Sequence, residues 1–135
     1  MAPALKAKKR RILVVEDDPS LKETLRKHLV RRGYDVEVCG DSETALRLIA
    51  THKPDLVCLD LNLPRESGYE VCEMLRKRLE TRELPIVMMS DRTSPEDRAH
   101  AEEAGANAYL TKPVTLAELT RQVSTLLDGA RVAGP

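Results

Sequence analysis

Five short apolar runs recur along this chain, each followed by a stretch with helical spacing, and that alternation is what most limits the fold. The runs are residues 12–15, the pair Val36 and Val38, residues 56–59, 86–89 and 108–111. Start and stop signals bracket the helices between them. Asp18-Pro19 is an N-cap followed by proline at the first helical position, Leu21, Leu25 and Leu29 share one face, and Arg31-Arg32-Gly33 closes the segment. Asp41 or Ser42 caps a second helix through Ala45, Leu46 and Ile49, which Pro54 stops. Ser67 with Glu70 reads as a capping box for a third, with Val71, Leu75 and Leu79 as its apolar face. Ser94-Pro95 opens a fourth and Gly105 ends it. Thr115 with Glu118 opens a fifth, along which Leu116, Leu119, Val123, Leu126 and Leu127 are spaced as an amphipathic helix.

Strands that alternate with helices predict an α/β fold in which a parallel sheet is covered by helices on both faces. Five such units suit a doubly wound, flavodoxin-like sheet in the order 2-1-3-4-5 with five flanking helices. Ligands of these sheets bind in the crevice outside the carboxyl ends of the strands. Four chemical marks fall at that end: Glu16-Asp17 after the first run, Asp60 after the third, Ser90 after the fourth and Lys112 after the fifth. In the expected order these strands are neighbours, so the marks line one rim.

The residue types of that rim define a chemistry. Carboxylates held together repel, by about 4 kcal/mol for a pair 4 Å apart at an effective dielectric near 20. A divalent cation removes the conflict, and hard oxygen ligands with no His or Cys nearby favour Mg2+. Asp60 can then act as a carboxylate nucleophile toward phosphorus. Lys112, the Ser90 hydroxyl and strand-end amides would stabilise charge on the phosphoryl oxygens. Singly, each mark also has a plain reading: solvated loop acids, a strand-end hydroxyl, and for Asp18 the cap of the first helix. Together they converge on phosphoryl transfer. His28, His52 and His100 fall on expected helices away from the rim and read as packing or surface residues.

Composition removes other classes. Basic and acidic residues number 22 each, so no overall field draws the chain to nucleic acid or membrane. Lys6, Lys8, Lys9, Arg10 and Arg11 make the opening segment basic, which reads as a solvated arm, with nucleic-acid or partner contact as the alternative. The only aromatics are Tyr34, Tyr69 and Tyr109, too few for stacking on single-stranded nucleic acid. Cys39, Cys58 and Cys72 are odd in number with no CxxC neighbour, against a disulfide framework or zinc site and in favour of a reduced, cytoplasmic setting. No apolar run approaches the roughly 18 residues of a membrane span, and the one behind the basic arm is too short for a signal peptide. The expected organisation is an arm over 1–10, one folded domain over 11–128 and a flexible tail over 129–135, with no output domain.

Val14-Val15-Glu16-Asp17-Asp18, Asp60-Leu61-Asn62-Leu63-Pro64, Gly68, Ser90, Gly105-Ala106 and Tyr109-Leu110-Thr111-Lys112-Pro113 resemble the receiver domain of two-component response regulators. The likeness covers about residues 10–128. It implies that Asp60 accepts a phosphoryl group from the phosphohistidine of a sensor histidine kinase or histidine phosphotransfer protein, and that a downstream protein target reads the result. It implies that Asp17 and Asp60 ligate Mg2+ directly, Glu16 acts through water, and Asn62 lends its backbone carbonyl. Lys112 would pair with the phosphoryl group, Ser90 would turn inward, and Tyr109 would follow on the outer face. Lys112-Pro113 would hold a cis peptide. Three positions depart from the common pattern. Asp91 stands where a small residue is usual and is expected to tune the site, Val114 where an aromatic is frequent, and Ser67 where an acid often precedes the glycine.

Two other function classes remain at this stage. A pseudoreceiver would dock partners without phosphorylation, which leaves the acidic pair, Asp60 and Lys112 without purpose. An aspartyl-phosphate phosphatase would carry a second acid two residues past the nucleophile, where this chain has Asn62. The favoured reading is a signalling module that catalyses only its own phosphorylation and dephosphorylation and turns over no external metabolite.

Overall fold

The computed structural model describes residues 9–132. Most of the expected arm therefore lies outside the described residues. Ten elements alternate in chain order: β1 (Arg11–Val15), α1 (Pro19–Arg31), β2 (Asp35–Cys39), α2 (Ser42–His52), β3 (Leu56–Asp60), α3 (Gly68–Lys77), β4 (Ile86–Ser90), α4 (Pro95–Ala104), β5 (Ala108–Thr111) and α5 (Leu116–Val132). The strands form one parallel sheet in the order β2-β1-β3-β4-β5, as expected. β3 and β4 each extend one residue beyond their apolar runs, so Asp60 and Ser90 are the last residues of buried strands.

The strand pleat divides the core between two faces. Ile12, Val14, Leu56, Cys58, Val87 and Met89 meet Leu25 and Leu29 of α1 and Leu119, Val123 and Leu127 of α5. The alternate residues, Leu13, Val15, Val57, Leu59, Ile86 and Met88, meet α2, α3 and α4 through Ala45, Ile49, Val71, Leu75 and Ala101. Strands buried on both faces must be apolar throughout, which is why these runs do not alternate with polar residues. Each fully buried aliphatic side chain contributes about 1.5–3 kcal/mol. Val114, in place of the frequent aromatic, is partly buried against the α1/α5 face.

Local chemistry sets the helix ends. Asp18 accepts from the Ser20 N–H and Asp41 from the Thr44 N–H at 2.7 Å, which settles the second cap on Asp41. Ser67, Ser94 and Thr115 accept from the N–H three residues on. The capping box expected at Thr115 is half made, because the Glu118 carboxylate turns forward to Arg121 instead of back to the cap. Two further expectations are corrected. Leu79 is 73% exposed and off the apolar face, because α3 stops at Lys77 and Arg78 is extended. The Thr81 hydroxyl then donates at 2.6 Å to the Leu75 carbonyl, which also accepts the Arg78 N–H, and holds the turn there. At the other end, α5 continues helical to Val132 where a tail from 129 was expected. Ala130 and Arg131 favour helix, and a single glycine costs only about 1 kcal/mol. No helix among the described residues is long and apolar enough to cross a membrane.

Candidate functional site

The end of β3 is where the apolar interior meets charge. Asp60 and Glu16 are both 1% exposed, and Ser90 is completely buried. Asp17, beside Glu16, is exposed. Parallel register brings β3 between β1 and β4, with Asp60 opposite Met89. Lys112 follows β5, and its backbone N–H donates to the Ser90 carbonyl at 2.7 Å, which aims its side chain back across the sheet end. All of the sequence-selected rim residues thus converge. The peptide bond from Lys112 to Pro113 is cis, as the resemblance implied.

Each Asp60 oxygen has one partner. Oδ1 accepts from the Asn62 backbone N–H at 3.0 Å, and Oδ2 lies 3.3 Å from the Lys112 ammonium. The same ammonium is 2.8 Å from Glu16 Oε1. The ammonium is the partner of Glu16 Oε1, which has no other among the described residues, while Oε2 accepts from the Asp18 N–H at 3.1 Å. Burial raises the Asp60 carboxyl to about 6, opposed by the Asn62 N–H and Lys112 and reinforced by the Glu16 charge. Burial pushes Lys112 down, but its contacts with Glu16 and Asp60 outweigh this and hold it above its ordinary value.

One ammonium thus faces three acids. Glu16, Asp17 and Asp60 each present an oxygen, all within 4.8 Å of one another. The donor set is hard oxygen only, and the single Lys112 charge does not neutralise it. These observations fit a divalent hard cation such as Mg2+, with Asp17 at the open side. The Ser90 oxygen accepts from the Arg92 N–H at 3.0 Å, which leaves its own O–H proton free to donate.

Asp91 does not cap its own loop. The Asn62 side-chain amide donates to Asp91 Oδ1 at 3.3 Å across the mouth of the site. Tyr109 is half-buried, its hydroxyl donates to the Arg92 carbonyl at 2.8 Å, and the Arg98 guanidinium lies 5.1 Å from its ring centre. The histidines are packing or surface residues, as expected: half-buried His28 meets the Thr120 hydroxyl, exposed His52 pairs with Glu37, and exposed His100 stacks on Tyr69. All three cysteines are buried and free, and burial pushes Cys58 up to about 12. A cavity of about 410 Å³ lined by Leu46, Ile49, Pro54 and Leu84 lies at the opposite, amino end of the strands, away from the acids.

Sequence reasoning gave no role to Gly68, yet it positions the nucleophile. A Cβ there would lie 2.8 Å from the Asp60 carbonyl oxygen and 2.9 Å from the Leu61 Cα, both backbone atoms. The Gly68 N–H donates to the Leu61 carbonyl at 2.8 Å, so the start of α3 rests directly on the chain that carries Asp60. Sequence reasoning also missed Asp97. The S-x-x-D spacing of Ser94 and Asp97 was the available signal: the Ser94 oxygen accepts from the Asp97 N–H at 3.1 Å, and its hydroxyl donates to the Asp97 carboxylate at 2.6 Å.

Comparison with known proteins bears directly on this geometry. The response regulator receiver domain model matches residues 12–124. The chain is 44% identical over 117 residues to the response regulator MprA of Mycolicibacterium vanbaalenii and 43% identical to that of Mycobacterium avium. Each alignment covers 87% of this chain and half of the relative, so the chain spans about half the length of these curated relatives. Among solved structures, a CheY-like receiver domain protein of Methanospirillum hungatei superposes with a TM-score of 0.87 at 28% identity, covering 94% of this chain and all of that one. The chemotaxis response regulator CheY4 of Vibrio cholerae gives 0.84 at 28% identity, over 89% of this chain and all of the other. The matched segment contains every rim residue from Glu16 to Lys112, and the chain belongs to the response regulator receiver domain family of two-component signalling.

Proposed function

We propose that Asp60 accepts a phosphoryl group from the phosphohistidine of a sensor histidine kinase or histidine phosphotransfer protein, with Mg2+ as cofactor, and that the charge gained switches a surface read by a downstream protein. The observation that carries this reading is the Asp60 carboxylate itself, buried at a strand end beside two further acids and one ammonium. With a carboxyl near 6, Asp60 is mostly ionised at neutral pH and is available as a nucleophile. Its oxygen forms a bond to phosphorus as the phosphorus–nitrogen bond of the donor breaks, and the imidazole leaves with that electron pair. Lys112 moves from carboxylate partner to phosphoryl partner, and the free Ser90 proton is donated to a phosphoryl oxygen. The Asn62 N–H holds the Asp60 oxygen that is not attacking.

Glu16, Asp17 and Asp60, with the Asn62 carbonyl, would hold Mg2+. When bound it supplies charge neutralisation that lets an anionic donor approach. Ser90 and Tyr109 meet at Arg92, so we read them as the switch pair. The chain would catalyse only its own phosphorylation and dephosphorylation, in the cytoplasm, without nucleic-acid or membrane contact of its own. Phosphorylation-independent docking leaves three carboxylates clustered at one buried strand end without explanation.

Intact-mass measurement with phosphoramidate and Mg2+ tests the reading. One phosphoryl addition to the wild type is expected, lost in Asp60→Asn and in excess chelator. Labelling that persists in either would overturn it.

A further inference from the structure

The amino end of the sheet carries a groove that the chemistry of the rim does not use. The cavity of about 410 Å³ there has an apolar floor, made by buried Ile49 and half-buried Leu46, Pro54 and Leu84. A second hollow, of about 550 Å³ and lined by Lys9, Arg10, Arg11 and Asp55, adjoins it at Lys53, which lines both. The two form one path, apolar at the Leu84 end and basic at the Lys9 end.

Three observations set this path apart from an ordinary seam between helices. The first is charge. Five cations, Lys9, Arg10, Arg11, Lys53 and Arg78, line the two hollows against two acids, Asp55 and Glu80. Asp55 already accepts the Arg11 N–H at 2.7 Å, and among the described residues neither exposed Lys53 nor exposed Arg78 makes an ion pair. The second is Leu79. It stands between the lining residues Arg78 and Glu80 and, at 73% exposed, is the most exposed large apolar side chain among the described residues. The third is Lys53 itself, which closes α2 with φ 48° and ψ 66°. That left-handed conformation favours glycine and strains a residue that carries a Cβ. A glycine would end the helix with less strain but would put no charge where the two hollows meet.

We propose that this path is a docking surface for an extended acidic segment of a partner protein. Its apolar side chains seat between Leu46 and Leu84, and its carboxylates run from Lys53 toward Lys9. Charge complementarity selects the occupant, because five cations against two acids favour an anionic chain. A nucleic acid has the charge but no aliphatic side chain for the apolar hollow. Nothing in this depends on phosphorylation of Asp60, which lies at the other end of the strands. A partner held here leaves the rim open to its donor in either state.

Fluorescence anisotropy at low ionic strength tests the surface, using a labelled peptide of two leucines followed by a run of glutamates. Saturable binding is expected, with amide shifts of the protein confined to residues 46–55 and 78–84. Lys53→Gly is expected to weaken binding about fivefold without lowering the melting temperature, since strain leaves together with the charge. Leu79→Ser should weaken it about threefold by removing exposed apolar area. Glu102→Gln, an exposed acid of α4, should leave it unchanged, and phosphoramidate labelling of Asp60 should stay within about twofold in all three variants. No saturable binding, full binding by both Lys53→Gly and Leu79→Ser, or amide shifts at the rim instead would each overturn the proposal. So would equal binding by a peptide with serine in place of leucine, or with lysine in place of glutamate. Octanoate that matched the peptide would make the ligand a small amphiphilic anion and would overturn the partner segment.

Discussion

The two ends of the sheet are built from the same buried strands, yet they treat charge in opposite ways. At the amino end polar groups are paired and serve as fasteners. Asn107 Oδ1 accepts both the Ile86 N–H at 2.8 Å and an Arg76 guanidinium nitrogen at 2.9 Å, and Arg76 also donates to the Gly105 and Thr81 carbonyls. Asp55 accepts from the Arg11 N–H, whose guanidinium donates to the His52 carbonyl. At the carboxyl end three acids cluster, and one lysine, in contact with Glu16 and Asp60, is their only cationic partner among the described residues. A fold stabilises itself where its polar groups are satisfied and keeps reactive groups where they are not. The amino end contributes stability, and the carboxyl end gives some of it up.

The comparison breaks most visibly at Asp60. Its folded carboxyl is raised to about 6, above the unfolded value near 3.8. A raised carboxyl means that the folded state binds the proton more tightly, so stability falls as pH rises from about 4 to about 6 and stays lower above that window. Lys112 does not offset this window, because its own raised value acts only at alkaline pH. Asp60→Asn in chelator at pH 7.5 is therefore expected to gain on the order of 2 kcal/mol in urea unfolding while losing all phosphoryl labelling. At pH 4 the gain should vanish, and Mg2+ should reduce it by binding the native wild type. Equal stability of the two proteins at both pH values in chelator would mean that the acids are not in conflict.

Loss of about 1–3 kcal/mol is expected from changes at either end, but only one of them should touch the chemistry. Asn107→Ala strands the buried Ile86 N–H and Arg76, which is expected to cost about 1–3 kcal/mol with labelling unaffected. Gly68→Ala pushes a methyl into the backbone of Asp60 and Leu61, for a similar cost by overpacking, and labelling should fall with it. Urea midpoints and labelling rates on the same preparations separate the two. Parallel loss of labelling in Asn107→Ala would merge the ends into a single unit.

The smallest effect is expected at Asp91, where the Asn62 amide fixes a fourth carboxylate at the mouth. Asp91→Asn should speed phosphoramidate labelling a few-fold at low ionic strength and less at high, because only screened charge is removed. Equal acceleration at both ionic strengths would assign the effect to obstruction instead.

The apolar runs and caps were readable because each depends on a few neighbouring residues. Period, proline and N-cap chemistry are local, and so β1 to β5 and the starts of the helices were legible. Leu79 was misread for the converse reason. Spacing alone continued α3 through Leu79, but the Thr81 hydroxyl and the Arg76 side chain close the turn earlier by contacts across the loop.

The chain by itself determined the identity of the rim. Apolar runs that end in Asp60, Glu16-Asp17, Ser90 and Lys112 can satisfy the burial of a parallel sheet in few ways, and the order 2-1-3-4-5 brings those ends together. Tertiary structure decided how the groups are used: which Asp60 oxygen meets Lys112, that Glu16 Oε1 meets the same ammonium, that Gly68 supports the nucleophile, and that Arg92, Tyr69 and Ser94 share Asp97. The physical reason is range. Hydrophobic burial and capping are set by residue type and spacing along the chain, whereas hydrogen-bond partners and carboxyl shifts are set by distances of a few ångströms between segments far apart in sequence.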